Sequence, residues 1–348
     1  MAMPLGPYMM WSAARIIGDL RIVDPKTKDV VGTRRGPIGT GFFVRVPSEA
    51  DDSLGYTYLV TAHHVIVGET NIEVEVANPF MEGALHAPLP VTDWRPTTSL
   101  VPKPAAPDIA IAPFKRPADY GIVALEAGKH LVPGLGPILP GAHFYYVGLL
   151  APLDRPMARS GTIGAVAQTG LASDLYPYDY VAHLVDCRSY GGFSGSPCYL
   201  EYPMPGLKPA TPQPPDLPSS QGPVGQMQYQ HTLCGMFTAH LKSAPPEDVE
   251  DEVDERYKDQ LVSRYGVGVL LHSDHIWEAL MNDQMRQERA QMDANIAKAV
   301  EEGGSTIEPL GSFAVPVSNP EFENFDALAS KLVQVPKSEI DAKRKQDG

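Results

Sequence analysis

Apolar residues recur along most of this chain in short runs rather than at helical spacing. Between residues 12 and 126 the runs 14–23, 41–46, 56–65, 71–76 and 109–112 are separated by clusters of Gly, Pro and Asp. That is the pattern of strands joined by turns. A second series follows at 144–149, 161–168, 181–185, 197–201, 231–238 and 266–271. Two stretches interrupt it. Residues 203–230 are rich in Pro, Gln and Ser and are expected to form an exposed, mobile loop. Residues 245–264 open on Pro-Pro-Glu-Asp and carry Tyr257, Leu261 and Val262, which predicts a short acidic helix. The period then changes. His272-Ser273-Asp274-His275-Ile276-Trp277-Glu278-Ala279-Leu280 reads as a capped helix with Ser273 or Asp274 as N-cap. Helical composition continues over 283–302, and 303–322 is loop-like. Residues 325–346 are amphipathic, with Phe325, Leu328, Leu332 and Val333 near helical spacing and a break at Pro336. No repeat of fixed period is present. The pattern predicts two strand-rich units, 1–130 and 131–282, and a helical or extended tail, 283–348.

Composition narrows the classes of function. A chain of 348 residues can bury one or two substantial cores, and 43% hydrophobic with 20% charged residues is a globular balance. The 31 glycines and 35 prolines favour many turns between short strands. A net charge of −14 argues against a nucleic-acid surface, which needs clustered Lys and Arg. Residues 1–11 lack a basic segment, a long apolar run and a small-residue cleavage site. No stretch approaches the ~18 apolar residues of a membrane span. The three cysteines, Cys187, Cys198 and Cys234, are odd in number and irregular in spacing, so they imply no disulfide framework. Cys198 and Cys234 could pair across neighbouring strands, but buried free thiols are the preferred reading. A cytoplasmic location is expected.

Candidate chemistry changes the picture most. A serine hydroxyl is too weak an acid to attack a peptide carbonyl unaided. It needs a neutral imidazole to take its proton and a carboxylate to hold that imidazole's tautomer. Three segments offer these groups in the order His, Asp, Ser: Thr61-Ala62-His63-His64-Val65, Pro107-Asp108-Ile109-Ala110 and Gly191-Gly192-Phe193-Ser194-Gly195-Ser196-Pro197. Singly, each has a plainer reading. A His pair at a strand end is usually structural or solvated, Asp after Pro is a common turn residue, and a Gly-Ser run is a common surface turn. The ordered trio outweighs these. Gly192 and Gly195 permit a tight turn whose N–H groups converge beside the Ser194 hydroxyl.

With Gly39-Thr40-Gly41-Phe42-Phe43-Val44 upstream, these motifs resemble the trypsin-like (chymotrypsin-fold) serine proteases. The resemblance is nearest the bacterial HtrA-like branch, without that branch's PDZ domain. It implies an all-β fold of two six-stranded antiparallel β-barrels of chymotrypsin type, with the cleft between them, a closing helix, no cofactor and no metal. The family's Thr-Ala-x-His pattern places the base at His64 and leaves His63 variable. Its Asp-Ile-Ala strand start selects Asp108 over Asp93 and Asp119. Ser194 is then the nucleophile, and Ser196, at the family's Gly position, is disfavoured. The resemblance also implies an oxyanion hole from the amides of Gly192 and Ser194, with that of Phe193 nearby. Phe193 is a departure. Zymogen-activated trypsins carry there an Asp that pairs with a newly cut N-terminus, so activation of that kind is not expected, and a distorted or gated oxyanion hole stays open.

In the trypsin register Arg188 falls at the base of the S1 pocket, and residues 235–240 resemble the strand that pairs with substrate backbone, bringing in Thr238, Ala239 and His240. Arg188 would favour an acidic P1 side chain. Equally, it points to solvent or pairs with Asp186. The leading reading is an intracellular serine endopeptidase that acts on a protein or peptide substrate through an acyl-enzyme, with no nucleic-acid or membrane partner. The alternative is a catalytically silent trypsin-fold module that binds peptides or partners, or one that cleaves only when a partner rearranges the Phe193 turn. Retention of all three residue types speaks for activity; Phe193 and the acidic insertion 247–255 speak for regulation. The tail either docks on the barrels or, through its apolar stretch 325–335, engages a protein partner or activator.

Overall fold

The structure, a computed structural model, describes residues 7–24, 27, 29–51, 54–77, 84–97, 106–114, 122–135, 138–148, 155–168, 180–187, 192–204, 228–241 and 267–301. A short helix, α1 (Pro7–Trp11), leads into an eight-stranded sheet. Its strands are β1 (Ala13–Val23), β2 (Val30–Pro47), β3 (Gly55–Thr61), β4 (Ile72–Ala77), β5 (Ala84–Leu89), β6 (Arg95–Pro96), β7 (Ala110–Pro113) and β8 (Leu125–Glu126). The order is β5-β4-β1-β2-β3-β7-β6, with β8 pairing parallel to β2. A second helix, α2 (His63–Ile66), follows β3.

The second unit is a closed antiparallel barrel in the order β10-β11-β14-β13-β12-β9. It is built from β9 (His143–Gly148), β10 (Met157–Gln168), β11 (Ala182–Cys187), β12 (Ser196–Met204), β13 (Gln228–Leu241) and β14 (Val267–His272). Two helices end the described chain, α3 (Ser273–Leu280) and α4 (Asp283–Glu301). The all-β expectation with C-terminal helices is met. The six-stranded barrel is the second unit, while the first is an eight-stranded sheet among the described residues.

Burial explains why these segments are strands. β3 is buried at every position, and β2 and β7 pair with its two edges, so its backbone groups are satisfied within the sheet. Its Tyr58, Leu59 and Val60 join Phe42, Phe43 and Val44 of β2 in the first core. The barrel core is aromatic: Phe144, Tyr146, Phe193 and Phe237 are all at most 1% exposed. The two units are tied near the N-terminus, where the Ser12 and Tyr199 hydroxyls lie 3.0 Å apart and Tyr199 donates to Met9 O at 3.2 Å.

Some expectations are corrected. Within the run 56–65, β3 stops at Thr61, and the short helix that presents His64 begins at His63. The α3 cap is neither Ser273 nor Asp274. His272 is the N-cap, its ring Nδ1 accepting from Asp274 N–H at 3.1 Å, and the Ser273 hydroxyl is buried with no partner among the described residues. An imidazole nitrogen thus meets an orphan first-turn donor, the task usually given to a hydroxyl or carboxylate. Cys187, Cys198 and Cys234 are free and buried, as preferred. The predicted acidic helix at 245–264 and the tail patterns beyond 301 lie outside the described residues, as does most of the 203–230 loop. No helix among the described residues is long and apolar enough to cross a membrane.

Candidate active site

Pairing of β3 with β7 puts the first two predicted groups together. The strands are antiparallel with Thr61 opposite Ala110. Residues just past the end of β3 and just before the start of β7 therefore emerge at the same end of the sheet. His64 stands in the first turn of α2. Asp108 sits at the centre of a three-residue turn closed by Ile109 N–H donating to Pro107 O at 2.8 Å. Thr97 steadies that turn: its N–H donates to Ile109 O at 3.0 Å, and its hydroxyl donates to Pro107 O.

Asp108 is wholly buried, whereas the His64 side chain is 40% exposed. Both carboxylate oxygens go to one residue. Oδ2 lies 2.7 Å from His64 Nδ1, and Oδ1 accepts the His64 backbone N–H at 3.0 Å. The His63 N–H donates to the Asp108 carbonyl at 3.3 Å. A buried carboxylate without such donors would be costly, and here it meets an N–H that the short helix leaves open. With Nδ1 engaged as donor, His64 keeps Nε2 as the proton acceptor. Of the adjacent histidines, His64 is the one joined to Asp108 side chain to side chain.

Ser194 lies in the turn that enters β12, between two glycines of positive φ, Gly192 at +99° and Gly195 at +89°. The turn is closed by Ser196 N–H donating to Phe193 O at 2.9 Å and anchored to β13 by Gly195 N–H donating to Phe237 O at 2.7 Å. At Gly195 a side chain is excluded twice, since any Cβ would collide with Thr40 O and the Thr61 hydroxyl and the backbone is left-handed. The turn also reaches the first sheet, because Thr40 N–H donates to Ser194 O at 2.8 Å. At Gly39 a Cβ would strike Val65, the neighbour of His64, and lie 3.1 Å from Ser194 O. The Ser194 turn and the His64 helix therefore converge on Gly39. No hydrogen bond joins Ser194 Oγ to His64 among the described residues; unliganded sites commonly leave that bond long.

The amides of Gly192, Phe193 and Ser194 are paired with no acceptor among the described residues. Gly192 and Ser194 are half-buried, and their amides stand on either side of Phe193 in the turn that carries the serine. The Phe193 side chain takes no part in this. It is 1% exposed, edge-on to Tyr146 with centroids 5.4 Å apart, and a Cβ at Gly148 would come within 2.7 Å of its ring. Ser196, the disfavoured alternative nucleophile, is completely buried, and its hydroxyl has no partner among the described residues.

The predicted substrate-binding residues are distributed less simply. Thr238 is fully buried, with its hydroxyl 3.2 Å from both Val269 O and Tyr180 OH. Ala239 and His240 follow it in β13, opposite Val269 and Gly268. Arg188 lies outside the described residues. Sequence reasoning missed Thr40, whose N–H, hydroxyl and carbonyl all serve the Ser194 neighbourhood: the hydroxyl donates to Gly192 O at 2.7 Å, and the carbonyl accepts from the Thr61 hydroxyl at 2.7 Å. The signal was its place between Gly39 and Gly41, where the backbone must come close to another segment.

Residues 39–202 match the family model described as trypsin-like peptidase domain. No curated protein matches the chain. Among solved structures, the MamO protease domain from Magnetospirillum magneticum (apo form) is 14% identical, with 79% of this chain and 99% of that one covered and a TM-score of 0.43. The HtrA-type protease AlgW with a decapeptide is 14% identical, with 81% and 65% covered and a TM-score of 0.42. The Rv3671c protease from M. tuberculosis in its active form is 16% identical, with 79% and 83% covered and a TM-score of 0.38. At these TM-scores the three likenesses carry no argument about this chain.

Proposed function

We propose, from the match of residues 39–202 to the trypsin-like peptidase domain model, that the chain is a serine endopeptidase working through His64, Asp108 and Ser194. The observation that carries this reading is the commitment of a fully buried Asp108 to His64 through both carboxylate oxygens. Such a pair fixes the ring and its tautomer and stabilises the imidazolium that forms when the ring takes a proton.

In the proposed reaction, Ser194 Oγ attacks the scissile carbonyl carbon while its proton passes to His64 Nε2. The carbonyl π electrons move to oxygen, which is met by the open amides of the 192–194 turn. Collapse of this intermediate breaks the C–N bond, and the His64 proton goes to the leaving amine. Water, deprotonated by His64 in turn, then hydrolyses the acyl-Ser194 ester and regenerates the serine. No step calls on a cofactor.

A fluorophosphonate probe tests the proposal, because it reacts only with an activated serine. Labelling of the wild type that vanishes in Ser194→Ala is the expected result. Equal labelling of the two proteins, or none in either, would overturn it.

A further inference from the structure

We propose that Thr40 is a positioning residue, which reaches from the first sheet to hold the Ser194 turn in its reactive shape. The inference rests on the endopeptidase reading above and adds to it a device on the opposite unit of the molecule.

The 192–195 turn has two positions, Gly192 and Gly195, whose φ values only glycine adopts freely. A peptide flanked by glycine can rotate, and rotation of the Gly192–Phe193 peptide would swing a carbonyl to where an N–H now stands. Three hydrogen bonds centred on Thr40 oppose this. Its N–H donates to Ser194 O at 2.8 Å, fixing the carbonyl side of the serine. Its hydroxyl donates to Gly192 O at 2.7 Å, fixing the very peptide that is free to turn. Its own carbonyl accepts the Thr61 hydroxyl at 2.7 Å, so the clamp is itself held by β3.

Burial makes the clamp selective. Thr40 is 0% exposed. If the peptide flipped, no water could replace Gly192 O as acceptor, and the hydroxyl would be left unsatisfied in the interior. With Gly192 O pointing to Thr40, the N–H of Phe193 points the opposite way, since the peptide is trans and planar. Of the turn's three open donors, that of Phe193 is thus kept on the side away from the first sheet. Thr40 touches no reacting atom in this scheme and acts through the turn alone.

Thr40→Val keeps the shape and removes the hydroxyl, while Thr40→Ser keeps the hydroxyl. Two readouts are needed: the rate of fluorophosphonate labelling with peptide kcat and KM, and amide hydrogen exchange over residues 191–197. In Thr40→Val we expect labelling and kcat to fall about 10-fold, the worth of one buried hydrogen bond, with KM little changed and exchange in the turn faster. Thr40→Ser should restore both. Wild-type rates and exchange in a folded Thr40→Val overturn the proposal. So does a loss that Thr40→Ser fails to rescue, which would mark Thr40 as a packing residue. If wild type is unreactive but Thr40→Val still loosens the turn, the clamp stands and the endopeptidase reading falls.

Discussion

Asp108 commits both oxygens to His64, and that geometry makes the side chain hard to replace. Asn is its closest isostere but offers one acceptor and one donor where two acceptors are used. If its oxygen keeps the His64 backbone N–H, its NH2 group faces Nδ1. The ring must then move its proton to Nε2, where it can no longer take one from Ser194. Asp108→Asn should therefore fold normally yet lower kcat by roughly 10³–10⁴-fold with little effect on KM, as peptide kinetics would reveal. Loss of less than 10-fold would mean that the ring does not depend on this partner. Phe193 belongs to the same scale. From sequence it stood out as a departure that left gating open, but its ring is packed into the barrel core against Tyr146 and above Gly148. It roots the turn in the second unit, as Thr40 ties it to the first.

Elements fold here by pairing more than by propensity, and this marks the limit of what the sequence made legible. The apolar runs located most strands within two or three residues, because a half-buried strand must alternate or cluster its apolar side chains. The first half of β2 was missed. Val30 and Val31 are more than half exposed, and Arg34, Arg35 and Pro37 read as loop, yet the segment pairs with β1 from Val30 onward. Cross-strand hydrogen bonding, not burial, makes it a strand. β5 was missed because it carries Pro88, which a sheet tolerates at an edge, and β5 is the edge strand next to β4. The His272 cap was missed because histidine is not an expected N-cap residue. The pairing of His64 with Asp108 was legible through motifs; Thr40 was not, because its role depends on a contact across the two units.

Helix α4 is the clearest case of an element whose place the sequence did not reveal. Its composition predicted a helix; it docks through Met285, buried in the core, and through two polar residues. Arg289, 4% exposed, donates to Leu280 O at 2.9 Å and to Tyr58 OH at 3.4 Å, and its guanidinium lies 5.9 Å from the centre of the Tyr58 ring. Asp293 accepts from the Ser48 hydroxyl at 2.9 Å and from Tyr56 OH. Thus α4 binds β3 and the end of α3 together. Arg289→Ala removes the donor and its packing stem, leaving Leu280 O short of a partner, and should cost about 2–3 kcal/mol. Urea unfolding should show a lower midpoint with labelling per folded molecule unchanged. An unaltered midpoint would deny α4 a stabilising role.

For the whole molecule, buried histidines set an acid limit. Burial, helped by Lys129, pushes the His130 imidazole down to about 4; burial, helped by His272 and His275, does the same to His183. His272 is lowered too, by burial first. Unfolding returns such rings to about 6.5. Between pH 6.5 and 4 the unfolded chain binds protons that the native chain refuses, so stability is complete above that window and declines as pH falls through it. The slope is at most roughly 1.4 kcal/mol per pH unit for each ring. Thermal midpoints measured from pH 7 to pH 4 should fall, and His130→Gln should flatten the fall by about one proton. A midpoint independent of pH across the window would contradict the burial of these rings as neutral groups.

The hydrogen bonds from Thr40 to the Ser194 turn also bear on the order in which the chain is made. β2 and the His64–Asp108 pair belong to the first half of the sequence, and Ser194 is added only later. A chain still in synthesis therefore holds the His64–Asp108 pair before Ser194 has been added. The bonds from Thr40 to the Ser194 turn can form only once that turn meets β2. On the endopeptidase reading proposed above, neither half alone would cut, so a growing chain would pose no hazard to its neighbours until the two are joined.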